Sequence, residues 1–394
     1  MTLESPIVPD GVADYDHTAP EFLSRMSEIG ARLRATCPLA RGSRFGGFWV
    51  VTRYEDVARV LRDQHTFSSR DGVVLPGLDG AARALPQESE APAHTRYRAA
   101  FLRHLDKRAV ARHEAAIRAT TAALFDRMAD QAEPDLVAGV AVPLPLIVSA
   151  RVLGLPPEDE IPLRAVFADT VAAMSAGDPA ALAEVLPRFA GFLGERLQAK
   201  AIAADVDLMT TIAAPTNGFT PDEQIALCIG FILAGQDTTA MAIANLLLLV
   251  GTDDQLRADL VARPDLRAGA IEESLRLFSP LQHLARTVST EIELHDRILA
   301  PGDRIVVNLG AANADPDQFP AADLLDPVRA PNRHLAFGVG AHHCAGIHLA
   351  RLELRAVLDA FCDRMPHHSV IGTRSLQMGT IYGPTQLRAV AGPA

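Results

Sequence analysis

With 394 residues, 48% of them apolar and 22% charged, the chain has enough material for a large core and an enclosed cavity. The net charge of -11 argues against nucleic acid as the main partner. Four scattered cysteines without a CxxC pair exclude a disulfide framework and fit a reducing, cytoplasmic compartment.

Length alone would allow about two or three domains. Pro and Gly are spread evenly, however, and no Gly/Ser linker, charge block or repeat divides the sequence. Residues 1–394 are therefore read as a single large domain. The opening MTLESPIVPDGVADYD has no basic flank and no apolar run, so neither a signal peptide nor a membrane anchor is expected.

In chain order, FGGFWVVTRYEDVARVLRD reads as a short strand followed by a helix, the period changing near Tyr54. Residues 70–92 are rich in Gly and Pro and read as a long loop, a common place for function. From Ala93 to about Ala203 the pattern is mostly helical, with a break at GLPPEDEIP. TPDEQIALCIGFILAGQDTTAMAIANLLLLV then predicts a long helix running to Gly251. Thr220 is its N-cap, Pro221 suits the first helical position and Glu223 completes a capping box. Being apolar nearly all round, this helix belongs in the middle of the protein. A membrane span is disfavoured, because Gln236, Asp237, Thr238 and Thr239 interrupt it at its centre. Around TVSTEIELHDRILAPGDRIVVNL the period shifts towards two, predicting a few short strands. The fold expected is mainly α with a small β portion towards the C-terminal half.

Three stretches carry chemistry. The first is AGQDTT, residues 234–239. Gly235 in a helix interior and an Asp in an apolar helix are both costly. Thr238 can bond back to the carbonyl of Ala234 and bend the helix. Together they suggest a backbone opened to admit a ligand, although a tolerated kink explains them equally well. The second is EESLR, in which Glu273 and Arg276 share a helical face. DPVR supplies Arg329 as a second cation for Glu273. The third is FGVGAHHCAG, residues 337–346, which opens onto a predicted helix. Cys344 at a helix start would have its thiolate favoured by the helical amides. Zinc wants about four ligands, and the adjacent His342, His343 and Cys344 cannot easily converge on one ion. A phosphate loop would need a Lys and a Ser or Thr that are not here. A nucleophilic cysteine needs a base, and no triad is fixed by the sequence. A thiolate ligand to a haem iron needs only one Cys, glycines that let a flat ring approach, and amides facing the sulfur.

These motifs together resemble the cytochrome P450 superfamily. FxxGxxxCxG is filled by Phe337, Gly340, Cys344 and Gly346; ExxR by Glu273 and Arg276; [AG]Gx[DE]T by Ala234, Gly235, Asp237 and Thr238. Agreement extends from APAHTRYR to NRHLAFG, most of the chain, and the likeness is to a soluble bacterial member. The resemblance implies a P450 fold with haem buried between the central long helix and the Cys-loop helix. It implies haem b (iron protoporphyrin IX) with Cys344 as axial thiolate and metal ligand, dioxygen as co-substrate, and NAD(P)H feeding electrons through a separate redox partner. Phe337 would pack on the thiolate side, with Gly340 and Gly346 permitting the loop and the helix approach. Asp237 and Thr238 would deliver protons in oxygen activation. Glu273, Arg276 and Arg329 would form a structural network. His94 and Arg98, with Arg286 and His334, would clamp the haem propionates. Ala345 and His343 depart from the commonest pattern beside the cysteine.

The function implied is a monooxygenase that oxidises, most simply hydroxylates, an apolar small molecule. Electrons would come from a ferredoxin or flavodoxin-like donor with its reductase. Arg96, Arg103, Lys107, Arg108 and Arg112 would supply a positive docking patch. By family position the substrate pocket draws on Val73, Val74, Leu75, Phe231, Ala234, Leu281, His283, Leu284, Ile381 and Tyr382. A monomer without nucleic-acid or membrane partners is expected. Peroxide-driven oxidation on the same fold and a non-catalytic haem protein are the competing readings.

Overall fold

The computed structural model describes residues 14–77, 83–202, 206–377 and 379–391. Residues 1–13 of the opening stretch and 78–82 of the expected 70–92 loop lie outside them. The chain forms two compact units. The first holds residues up to Gly77, Ala268–Cys344 and Ser375–Gly383; the second holds Leu78–Arg267, Ala345–Arg374 and the C-terminal residues from Pro384.

The first unit is built on a five-stranded sheet. Its strands are β1 (Leu39–Gly42), β2 (Phe48–Val51), β3 (Phe67–Ser68), β4 (His283–Val288) and β7 (Arg304–Asn308), with the hairpin β5 (Ile292–Leu294) and β6 (Arg297–Leu299) between the last two. The sheet order is β1-β2-β7-β4-β3. β2 and β7 run parallel, with Trp49 opposite Ile305. β4 and β7 run antiparallel, with Leu284 opposite Val307. Successive side chains on a strand point to opposite faces, and both faces are apolar. Val51, Ile305 and Val307 pack with Val57, Leu61 and Leu335 on one side. Val50, Val306 and Ala285 pack with Tyr15, Phe22 and Leu33 on the other. The strand and helix expected near Tyr54 are β2 and the helix Tyr54–Arg62. The β portion is not confined to the C-terminal half: β1, β2 and β3 come from the first 68 residues, and β2 and β3 pair with strands more than 200 residues later. Local periodicity carries no information about such distant pairing.

The second unit is helical. Its central helix, Pro221–Thr252, has the capping box read from Thr220 and Glu223. It packs against Pro143–Leu153, Pro179–Lys200 and Ile347–Arg364. The break at GLPPEDEIP is a left-handed Gly154 followed by the short turn Pro157–Asp159. The strands β8 (His368–Ile371) and β11 (Arg388–Ala391) pair antiparallel, while β9 (Arg374–Gln377) and β10 (Ile381–Pro384), which lie mostly in the first unit, form a separate two-stranded ribbon. The central helix is long and apolar enough to cross a bilayer, yet 56% of its most apolar window is buried inside the protein.

Candidate active site

The central helix is unbroken through AGQDTT; the opened backbone that its composition suggested is not seen. Thr238 Oγ1 does donate to the carbonyl of Ala234 at 2.7 Å, and the helix absorbs this bond without interruption. What changes at this point is exposure. Residues 239–248 are buried, whereas Ala234 is exposed and Gly235, Asp237 and Thr238 are half-buried. A Cβ on Gly235 would meet Ser149 Oγ at 3.6 Å, an ordinary contact, so no protein neighbour requires a glycine there. Burial pushes the Asp237 carboxyl up to about 6, close to neutrality. A group with that affinity both takes and gives up a proton near pH 7. Phe231, one turn earlier, packs on the ring of Phe101.

On the helix Ala93–Leu105, His94 and Arg98 lie one turn apart. Burial, and then the Arg98 charge, hold the His94 imidazole below its usual affinity for protons. Two nitrogen-rich side chains on one helical face suit an anion. Arg96, Arg103, Lys107, Arg108 and Arg112 are all exposed, on this helix, on Lys107–Ala111 and at its end.

In the first unit, the 337–344 loop is closed by its own amides. Cys344 N–H donates to the carbonyl of Phe337 at 2.9 Å, and His343 N–H to that of Gly340 at 3.1 Å. Gly340 has a φ of +86°. A Cβ there would stand 2.6 Å from the Leu61 carbonyl oxygen, so both conformation and space demand glycine. Gly346 caps the helix Ile347–Arg364 at φ -84°, which any residue adopts. Cys344 thus lies just before a helix start, as expected. It is half-buried, whereas Cys228 and Cys362 are buried and burial pushes both thiols up, away from the thiolate.

The Glu273 network forms as read. Arg276 Nε and Nη2 donate to the two Glu273 oxygens at 2.6 and 2.8 Å, and Arg329 Nε donates to Oε1 at 3.1 Å. The other Arg276 N–H groups reach the carbonyls of Asn313, Ala322 and Leu324, so all five donors are used. Burial would raise the Glu273 carboxyl, but these donors hold it below the usual range. Asn332 Nδ2 also donates to Glu273, at 2.9 Å, and this member was not read from the sequence. Nothing local marks an Asn as a partner for a carboxylate 59 residues away.

Three expected site residues face elsewhere. His283 is 2% exposed, with Nε2 against Tyr15 Oη at 2.6 Å and Nδ1 against the Gly379 carbonyl at 2.8 Å; it belongs to the core rather than to the expected pocket lining. The Leu75 side chain is buried in the same apolar cluster as Phe22 and Phe48. His334 turns Nε2 to Glu272 at 3.0 Å and accepts the Ala336 N–H at Nδ1, so both ring nitrogens have partners. Val73, Val74, Leu281, Leu284, Ile381 and Tyr382 are all half-buried, and Leu281 bridges to Ile381. Arg286 is buried on β4, its Nη1 on the Ala285 carbonyl at 2.8 Å.

Among the described residues, no three His, Cys, Asp or Glu side chains are grouped to hold a metal ion. A metal that needs several protein ligands does not fit this donor set. A metal that arrives in its own macrocycle needs one axial donor, and the closed Cys344 loop offers one.

The family model described as "Cytochrome P450" matches residues 250–364, which contain both the Glu273 network and the Cys344 loop. Cytochrome P450 107B1 of Saccharopolyspora erythraea is 32% identical over 378 residues, covering 91% of this chain and 91% of that protein. Linalool 8-monooxygenase of Pseudomonas putida is 30% identical over 394 aligned positions, covering 93% and 95%. The structure of cytochrome P450 CYP109Q5 from Chondromyces apiculatus superposes with a TM-score of 0.85 at 29% identity, over 97% of this chain and 99% of that one. Relatives of this kind span nearly the whole chain, and the closed Cys344 loop lies within the segment that the family model recognises. The chain belongs to the cytochrome P450 family, oxidoreductases that bind haem through a cysteine thiolate and incorporate oxygen with electrons passed from NAD(P)H by redox partners.

Proposed function

We propose that Cys344 is the axial thiolate and that the protein hydroxylates an apolar small molecule. The closed 337–344 loop supports this most directly. It presents a single accessible thiol just before a helix, with glycine at the one position where a side chain would collide with the Leu61 carbonyl. Haem held there would supply the centre at which dioxygen is activated. The chain's own part is to position and to move protons. Asp237, with its proton affinity raised to about 6, takes up and releases a proton near neutrality. Thr238 donates to Ala234 and keeps its oxygen lone pairs for a second donor. This acid–alcohol pair favours electron-driven turnover over peroxide-driven oxidation, because peroxide already carries its own protons.

His94, Arg98 and Arg286 are the proposed propionate partners, with His334 as a fourth only if its ring leaves Glu272. Val73, Val74, Leu281, Leu284, Ile381, Tyr382 and Phe231 are the proposed apolar lining, and a terpenoid, polyketide or aromatic compound suits it. The exposed basic row from Arg96 to Arg112 would steer an acidic ferredoxin or a flavodoxin-like donor. We take residues 1–394 to work as one P450 domain, monomeric and in the cytoplasm.

The test is the carbon monoxide spectrum of the reduced protein, wild type beside Cys344→Ser. A strongly red-shifted Soret band in the wild type, lost in the variant, is the expected outcome. A band that persists without Cys344 overturns the assignment.

A further inference from the structure

Four residues of the first unit form a buried polar cluster that the oxygen chemistry does not use. Tyr15, His17, His283 and Asn308 are each at most 2% exposed. Asn308 Nδ2 donates to Tyr15 Oη at 2.9 Å, and Tyr15 Oη meets His283 Nε2 at 2.6 Å. Since His283 Nδ1 faces the Gly379 carbonyl at 2.8 Å, that nitrogen carries the proton and Tyr15 donates to Nε2. Beside this chain, His17 Nε2 donates to the Leu75 carbonyl at 2.6 Å, and its ring lies 4.9 Å from that of His283. His17 Nδ1 is buried with no hydrogen-bond partner. Gly379, at φ +65°, is pressed against His17: a Cβ there would stand 2.7 Å from its Cδ2 and 2.9 Å from its carbonyl oxygen.

Polar groups buried this deeply are expensive unless each meets a partner. The partners here are main-chain carbonyls of two particular segments. Leu75 ends the run Val73–Leu75, and Gly379 begins the turn that carries Ile381 and Tyr382. Both segments also lean on β4 and the residues just before it. Ala285 N–H donates to Val73, Gln282 N–H to Thr380, and Tyr382 N–H to Pro280. At the cluster itself the carbonyls of Leu75 and Gly379 are met by side chains, His17 and His283.

We infer that Tyr15, His17 and His283 are positioning residues for substrate: they fasten two apolar pocket segments, Val73–Leu75 and Gly379–Tyr382, in one fixed arrangement. The inference rests on the proposed pocket. It assigns to the N-terminal segment, which supplies none of the proposed lining residues, control over what the lining accepts.

Two haem-binding probes test it. Imidazole reaches the iron with little contact to the pocket walls, whereas 4-phenylimidazole carries a ring that must lie against them. Both are titrated by the Soret shift of the holoprotein, in wild type, Tyr15→Phe, His17→Ala and His17→Gln. The expected result is that Tyr15→Phe and His17→Ala weaken 4-phenylimidazole by about tenfold, the effect of one lost hydrogen bond of ~1.4 kcal/mol, and leave imidazole unchanged. His17→Gln keeps an N–H for Leu75 and should restore most of the affinity. Equal loss for both azoles, or loss for neither, overturns the positioning role. Where one variant fails to load haem, amide exchange of the remaining haem-loaded variant is read beside the wild-type holoprotein, and faster exchange confined to 73–75 and 379–382 is required. A purified wild type that shows no Soret band overturns the haem reading itself, a distinct failure.

Discussion

Asp237 illustrates how environment, not residue type, sets a role. An ordinary aspartate is ionised at pH 7 and makes a poor proton donor; burial brings this one to about 6. If it passes protons during turnover, Asp237→Asn should lower kcat by about 10²-fold or more. It should also remove the limb of the kcat–pH profile near pH 6. Initial rates from pH 5 to 8 check this, and an unchanged limb would assign it to another group. Glu273 is the opposite case. It is fully buried and takes donors from Arg276, Arg329, Asn332 and the Asp326 amide. Glu273→Gln leaves two buried guanidinium groups without their anion, and should cost about 3–5 kcal/mol in urea unfolding. Both residues were legible in the sequence, because a carboxylate inside an apolar helix and an i, i+3 pair are local signals. Asn332 was not, since its partner is distant in sequence.

At the scale of the element, the central helix shows what propensity can and cannot say. Its start is written in Thr220, Pro221 and Glu223, and the structure begins there. Gly235 suggested an interruption, but the helix continues unbroken from Pro221 to Thr252, with residues 239–248 buried beyond that point. A Cβ there would make only an ordinary contact with Ser149 Oγ, so Gly235→Ala should stabilise the apoprotein by about 1 kcal/mol. A loss of haem affinity in the same variant, read by haem titration, would show that the glycine is kept for a ligand's approach. The helix Ile347–Arg364 carries a second buried acid. Glu353 lies 3% exposed with Oε2 unpartnered, and burial raises its carboxyl to about 8. Its folded-state affinity exceeds the unfolded value near 4.5, so it favours the folded state below pH 4.5 and that contribution fades as pH rises through about 8. Glu353→Gln should therefore flatten the fall in melting temperature between about pH 5 and 8.

For the whole molecule, acid sensitivity just below neutrality comes from histidines. Burial depresses the proton affinity of His17, His104, His113 and His283 in the folded protein. Their contribution is complete above the unfolded value of 6.5 and is lost as pH falls towards the folded values. Melting temperature should drop between pH 6.5 and 5, and less so in a His17→Gln, His113→Gln double variant.

The sequence by itself determined the helical class, the start of the central helix, the strand near Phe48 and the motifs that carry the chemistry. Each depends on residues within a turn or two of one another. Only the tertiary structure decided that β2 pairs with β7, that His283 and Leu75 turn into the core, and that His334 meets Glu272. Those outcomes depend on which distant partners satisfy a buried polar group or cover an apolar face. Periodicity is silent there, because it reports which side of an element is apolar and not what lies against it.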